Sequence, residues 1–144
     1  MEKKVAVIHT SFVSVDLLKS LFHDLIPEVR MINIVDDSLL FELIENRGIT
    51  PSIVRRVCNY AIEAEAAGAD AVFNQCSSVG EAVDIARTML KIPYVKIDEA
   101  MAEEAVKLGS RIPVVATAAS TIGSSCRLVE RTINRKRDSA VIIL

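Results

Sequence analysis

No stretch of this chain is apolar enough to make a membrane helix. The longest uncharged run, Ile112 to Cys126, is interrupted by Ser, Thr and Ala, whereas a spanning helix needs roughly 18 or more apolar residues. No signal peptide is expected, because Met1-Glu2-Lys3-Lys4 is too short for one and leads straight into Val5-Ala6-Val7-Ile8, which reads as a first strand. There are only three cysteines, an odd count without disulfide-scaffold spacing, so free thiols in a reducing compartment are expected. The formal net charge of -2 leaves no basic excess for nucleic acid. Arg127, Arg131, Arg135, Lys136 and Arg137 form the one local exception, and they read as the solvated side of a helix. No Gly-x-Gly-x-x-Gly or Walker pattern supports a nucleotide site. Asp36 and Asp37 lack the His or Cys neighbours of a metal site and read as a turn. These absences point to a soluble, cytoplasmic protein that binds neither nucleic acid nor membrane, with no metal site.

The 144 residues are 51% hydrophobic, enough for a full core. Short β-rich runs alternate with helical ones. Val5–Ile8 reads as a buried strand and Val15 to about Leu25 as a helix, with Ser14 as N-cap and Val15, Leu17, Leu18, Leu21 and Phe22 at helical spacing. A strand over Met31 to Val35 and a short helix over Leu39 to Ile44 follow. Thr50-Pro51 opens the next helix with an N-cap and a Pro at N1, and Gly68 closes it. Ala71 to Asn74 is the third strand, and its helix is predicted to run to Leu90. Tyr94 to Ile97 is the fourth, leading through Asp98 as N-cap into a helix over Glu99 to Leu108. Ile112 to Val115 is the fifth. This alternation predicts the α/β class, a parallel sheet covered by helices on both faces.

Ligands of such sheets bind beyond the carboxyl ends of the strands. That edge collects His9-Thr10-Ser11, Asp36-Asp37-Ser38, Cys76-Ser77-Ser78, Asp98-Glu99 and Thr117-Ala118-Ala119-Ser120-Thr121. The run Asn74-Gln75-Cys76-Ser77-Ser78-Val79-Gly80-Glu81 is the most informative part. Ser78 and Glu81 form a capping-box pattern, which sets Cys76 at a strand tip just before a helix N-terminus. Free amides and the helix dipole there favour a thiolate that can act as base or nucleophile; a small residue filling a turn is the alternative. His9 is either a proton shuttle or a structural hydrogen-bonding residue. Asp98 and Glu99 are either an acid–base pair or a cap.

Val5–Thr10 is similar to Ile112–Thr117 at an offset of 107 positions, which also carries Met31–Ile34 onto Asp138–Val141. The chain therefore reads as one complete α/β lobe, 1–110, followed by the start of a second, incomplete lobe, 111–144. Ser139 to Leu144 is an apolar strand with no helix after it. Such an edge needs a partner, so a homodimer or larger homo-oligomer is expected, and a monomeric solution mass would count against it.

Four segments together resemble the aspartate/glutamate (hydantoin) racemase superfamily: Val7-Ile8-His9-Thr10, Gln75-Cys76-Ser77-Ser78-Val79-Gly80, Ile97-Asp98-Glu99-Ala100-Met101 and Val115-Ala116-Thr117-Ala118-Ala119-Ser120-Thr121. The resemblance implies two Rossmann-like lobes facing across a cleft, each supplying a cysteine, and chemistry without a cofactor. One thiolate takes the α-proton of a small carboxylate and the other thiol returns a proton to the opposite face. By the same resemblance Cys76 is the first-lobe cysteine. Thr10, Ser11, Asn74, Ser77, Ser78, Thr117, Ala118 and Thr121 are placed at the substrate. The pattern departs from the amino-acid racemases in carrying Ser77-Ser78 where they have Asn-Thr. The repeat offset puts a second-lobe cysteine beyond Leu144, and Cys58 and Cys126 both read as packing thiols. The resulting expectation is a racemase or isomerase acting at the α-carbon of an amino acid or hydantoin. Alternatives are a single-cysteine decarboxylase or cis-trans isomerase, and an inactive, truncated carboxylate-binding protein.

Overall fold

The computed structural model describes residues 2–136 and 140–143. Strands β1 (Lys3–His9), β2 (Val29–Val35), β3 (Ala71–Asn74) and β4 (Tyr94–Lys96) form one wholly parallel sheet in the order β2-β1-β3-β4. Helices α1 (Val15–Leu25), α2 (Ser38–Glu45), α3 (Pro51–Ala66) and α4 (Gly80–Arg87) connect them, and α5 (Glu99–Leu108) follows β4. The α/β class read from the alternation of runs is the class observed.

Side chains alternate across a strand, so register decides which residues share a face. Ala6, Val72 and Tyr94 are aligned, as are Ile8, Asn74 and Lys96. The apolar members of this face are buried against Leu39 and Leu43 of α2, Ile53, Val57 and Ala61 of α3, and Val83 and Ala86 of α4. The opposite face carries Val7 and Phe73. There Phe22 of α1 meets Phe73 edge-to-face, ring centroids 6.1 Å apart. The stripe expected on α1 is only partly covered: Leu18 is buried, while Leu17 and Leu25 are 63% and 74% exposed.

Some local signals hold. Thr50 caps α3, its Oγ1 accepting from the Ile53 N–H at 3.2 Å with Pro51 at the first helical position. Gly68, at φ 81, takes the left-handed turn that ends α3. Ser14 and Asp98 occupy the positions expected of caps, but neither side chain caps its helix. Both have ψ at 0° rather than the extended backbone that lets a cap oxygen reach back to the first turn. The Glu99 carboxylate instead accepts the Lys96 N–H at 3.0 Å.

The largest local departure follows Cys76. Ser77–Val79 is a 3-10 turn, α4 begins only at Gly80, and it ends at Arg87 rather than Leu90. The Ser78–Glu81 capping box does not form, because Ser78 bonds to Ser120 and Thr121 while Glu81 pairs with Arg127.

Past α5, β5 (Arg111–Pro113), α6 (Ala119–Lys136) and β6 (Val141–Ile143) form a β-α-β unit whose two strands make a separate parallel sheet. β5 ends before the expected Val115, which is 92% exposed. Residues 139 and 144 of the last expected strand lie outside the described residues. Ile112, Leu128, Val129, Ile133 and Ala140 pack with Ala102 and Val106 of α5 in a second apolar cluster. The unit repeats the β1-α1-β2 pattern with one change. Val5 pairs with Met31, 26 positions on, whereas Ile112 pairs with Ile142, 30 positions on. The four extra residues amount to about one turn of the longer helix α6, so a constant 107-residue offset does not give the pairing of β6.

Candidate active site

The carboxyl ends of the four-stranded sheet are laced by backbone hydrogen bonds. Asp36 N–H donates to His9 C=O at 3.0 Å, Gln75 N–H to Ile8 C=O at 3.1 Å, and Ile97 N–H to Asn74 C=O at 3.0 Å. These bonds bring His9-Thr10, Asp36, Gln75-Cys76 and Ile97-Asp98 to one edge. The first turn of α6 reaches that edge from the other sheet. Ser78 Oγ lies 3.3 Å from Ser120 Oγ and 3.1 Å from Thr121 Oγ1. A cavity of about 670 Å³ opens there, lined by Ser78, Ala118, Ser120, Ser124, Arg47 and Arg127 among others. Thr117 is exposed, Ser11 and Ser77 are half-buried, and Thr10 is buried.

Cys76 is half-buried at the tip of β3, packed against the main core, with extended backbone at φ -113, ψ 115. Because α4 starts four residues later, the amides nearest the thiol belong to the 3-10 turn and not to a helix N-terminus. Cys58 lies in the core stripe of α3, where burial pushes its thiol pKa up. Cys126 is half-buried on α6. Of the three thiols, only Cys76 stands at the sheet edge. A second, mostly apolar groove of about 620 Å³ runs between α3 and α4 past Cys58, Ile62, Ile85 and Met89, and carries no hydroxyl cluster or reactive pair.

His9 is wholly buried, and its Nε2 lies 2.9 Å from Asn33 Oδ1. The amide oxygen only accepts, so Nε2 holds the proton and Nδ1 is bare; Nδ1 is buried without a hydrogen-bond partner among the described residues. By strand alternation His9 shares the face of Val7 and Phe73, whereas Asn74 and Cys76 belong to the other. The register therefore does not set the imidazole against the thiol. Burial, with the charge of Lys19, lowers the His9 pKa below 6.5 despite the opposing bond to Asn33. The unfolded chain then binds the extra proton first, so the contribution of His9 to stability is intact above pH 6.5 and is lost as pH falls toward the folded value. A thermal melt series from about pH 7 to pH 5.5 should show the midpoint fall, and His9→Gln should flatten it. The carboxylates with lowered pKa, Asp36, Asp70 and Glu99, lose stability only below about pH 5. An unchanged slope in His9→Gln would rule the account out.

A family model described as Asp/Glu/hydantoin racemase matches residues 3–139. The chain belongs to the Asp/Glu/hydantoin racemase family. Two solved racemases share its fold. Glutamate racemase from Aquifex pyrophilus superposes with a TM-score of 0.72 at 16% identity, over 96% of this chain and 54% of that one. Picrophilus torridus aspartate racemase gives 0.61 at 17% identity, over 97% of this chain and 62% of that one. The chain thus spans between half and two thirds of the length of these two structures. A sequence search of curated proteins found no match.

Several charged groups of this racemase-family chain have partners that no local pattern shows. Asp36 is committed to structure: its carboxylate accepts from Ser38 Oγ at 2.6 Å and Tyr60 OH at 2.7 Å and pairs with Arg56 at 2.9 Å. Burial alone would raise its pKa, but these bonds outweigh burial and hold it low. Lys96 is 5% exposed, with Nζ 2.7 Å from Asp84 Oδ1 and 3.2 Å from Gly80 C=O. The arginines expected on a merely solvated helix side tie α6 down: Arg127 pairs with Glu81, Arg131 with Asp84, and Arg135 with Glu103 at 2.5 Å. Their spacing of four along α6, against the acids at 81 and 84, is the signal that could have found this ladder. Among the described residues no three His, Cys, Asp or Glu side chains converge as metal ligands would, and no helix is long and apolar enough to cross a membrane.

Proposed function

We propose that this chain performs racemase-type carbon-acid chemistry on a small carboxylate of amino-acid or hydantoin type, with Cys76 as the base and no cofactor. One observation carries the reading. The thiol at the sheet edge stands two residues from Ser78, which lines the cavity with Ser120 and whose hydroxyl meets Ser120 and Thr121; Cys76 itself lies beside the cavity lining rather than in it. Convergent hydroxyls and the amides that open an 18-residue helix suit a carboxylate. Arg47 adds positive charge to the cavity wall, where Arg127 is paired with Glu81. In the proposed step the Cys76 thiolate takes the α-hydrogen, the C–H electron pair moves into the enediolate of the carboxylate, and the donors hold the developing charge. Return of a solvent-exchanged proton from the same thiol gives isotope exchange; return from a second acid on the opposite face gives racemisation.

Residues 1–110 would form the complete lobe and 111–144 the start of the second. The exposed Leu17, Leu21 and Leu25 of α1 support self-association. A second reading, decarboxylation or cis-trans isomerisation with one cysteine, is favoured by the position of Cys76 as the only edge thiol among the described residues. The test is α-deuterium incorporation in heavy water over a panel of amino acids, hydantoins and malonates, with product analysis. Exchange dependent on Cys76 supports the main reading, and loss of carbon dioxide from malonates the second. Neither product with any substrate would overturn both and leave carboxylate binding.

A further inference from the structure

Asn74 is the last residue of β3 and its side chain is wholly buried, a place where an apolar residue would ordinarily pack. A buried amide without partners is costly, and this one has two. Its Nδ2 donates to the Cys76 C=O at 2.6 Å, and its Oδ1 accepts from Tyr94 OH at 3.5 Å. The carbonyl must face the NH₂ group and the phenol the amide oxygen, so the amide has one orientation. Burial raises the Tyr94 pKa and keeps that phenol a donor.

The consequence lies in the next peptide. The Cys76–Ser77 bond is trans, so its N–H points opposite its C=O. The Cys76 carbonyl is drawn inward to Asn74 at 2.6 Å, with the Val79 N–H as a second, longer donor at 3.4 Å, so the Ser77 N–H is turned the opposite way, toward the sheet edge. We infer that Asn74 is a positioning residue, which holds the Cys76–Ser77 peptide so that the Ser77 N–H serves as a fixed anion donor at the site. The role of that donor in turnover rests on the carbon-acid reading above; the positioning does not. Asn74 therefore acts from beneath the site, through the backbone, and not on substrate as the resemblance implied. A fixed donor is valuable because it need not reorganise as charge develops.

The experiment uses a Cys58→Ser/Cys126→Ser background, so that iodoacetamide reports Cys76 alone. Asn74→Asp keeps the shape but replaces the donor with a carboxylate that repels the carbonyl. Asn74→Ser is the milder variant should the first fail to fold, and Tyr94→Phe removes only the outer bond. At fixed neutral pH, with folding checked by circular dichroism, alkylation of Cys76 should slow roughly 10-fold in both Asn74 variants. It should stay within about twofold of the parent in Tyr94→Phe. Where exchange is measurable, kcat should fall roughly 100-fold with KM changed far less. Slowed alkylation in a parent that exchanges no substrate would sustain the positioning while rejecting the carbon-acid reading. Folded Asn74 variants that alkylate at the parental rate would overturn the inference, whatever their melting temperatures.

Discussion

Cys76→Ala is expected to abolish α-deuterium exchange, lowering the rate by roughly 10²- to 10⁴-fold, the usual contribution of a positioned proton-transfer group. Cys76→Ser should do nearly the same, since a serine hydroxyl stays protonated near neutral pH whereas a thiol can supply the thiolate. The other thiols provide the contrast. Cys58 is buried in the core with a raised pKa, and Cys126 is half-buried about two turns into α6. Cys126→Ser should leave exchange unchanged, and Cys58→Ala should act only through stability, by the few kcal/mol or less of a small core truncation. Exchange that survives in Cys76→Ala would reject the thiol as the base and direct attention to the hydroxyl cluster alone.

The second large effect concerns the ammonium under α4. Asp84→Ala would leave Lys96, 5% exposed, without its carboxylate at 2.7 Å. An uncompensated buried charge destabilises by about 3 to 5 kcal/mol, a drop in melting temperature of roughly 10 °C for a chain of this size. Arg131 also loses a carboxylate partner and Arg87 the longer of its two, keeping Glu99, but both are more exposed and contribute little. Lys96→Met should be near neutral or stabilising, because it replaces the buried pair with packing. The double variant Asp84→Ala/Lys96→Met should recover most of the loss, and this non-additivity is the measurement that matters. A single Asp84→Ala that melts within about 2 °C of the parent, equivalent to well under 1 kcal/mol, would show that Lys96 finds other support. The site should register the same change, since the ion pairs of α6 with α4 help keep Ser120 and Thr121 against Ser78.

Much of the fold was legible from local pattern. Alternating β-rich and helical runs gave the class, and Ala71–Asn74 and Glu99–Leu108 were readable to the residue from short apolar runs and helix stops. Thr50-Pro51 and Gly68 were readable because an N-cap, a Pro at N1 and a left-handed Gly act through their own backbone. The failures have two causes: Ser14 and Asp98 miss their caps through their own backbone angles, and the others are tertiary. Ser78 and Glu81 carry a capping-box pattern, yet both side chains are claimed by α6, forty or more positions away. Register produces the other surprises. Period two places Asn74 and Lys96 on the same inner face, but sequence alone does not say that one neighbour there would be a backbone carbonyl and the other a carboxylate.

By itself the sequence determined that this is a parallel α/β chain whose strand tips carry a thiol and several hydroxyls, because periodicity and strand-tip position are properties of short segments. Only the tertiary structure decided which of those groups meet. It brought Ser120 and Thr121 to Ser78, turned Asn74 beneath Cys76, set His9 on the opposite face, and buried Lys96 against Asp84. Each of these follows from how strands register and helices dock, through contacts between residues far apart in the chain that no local pattern encodes.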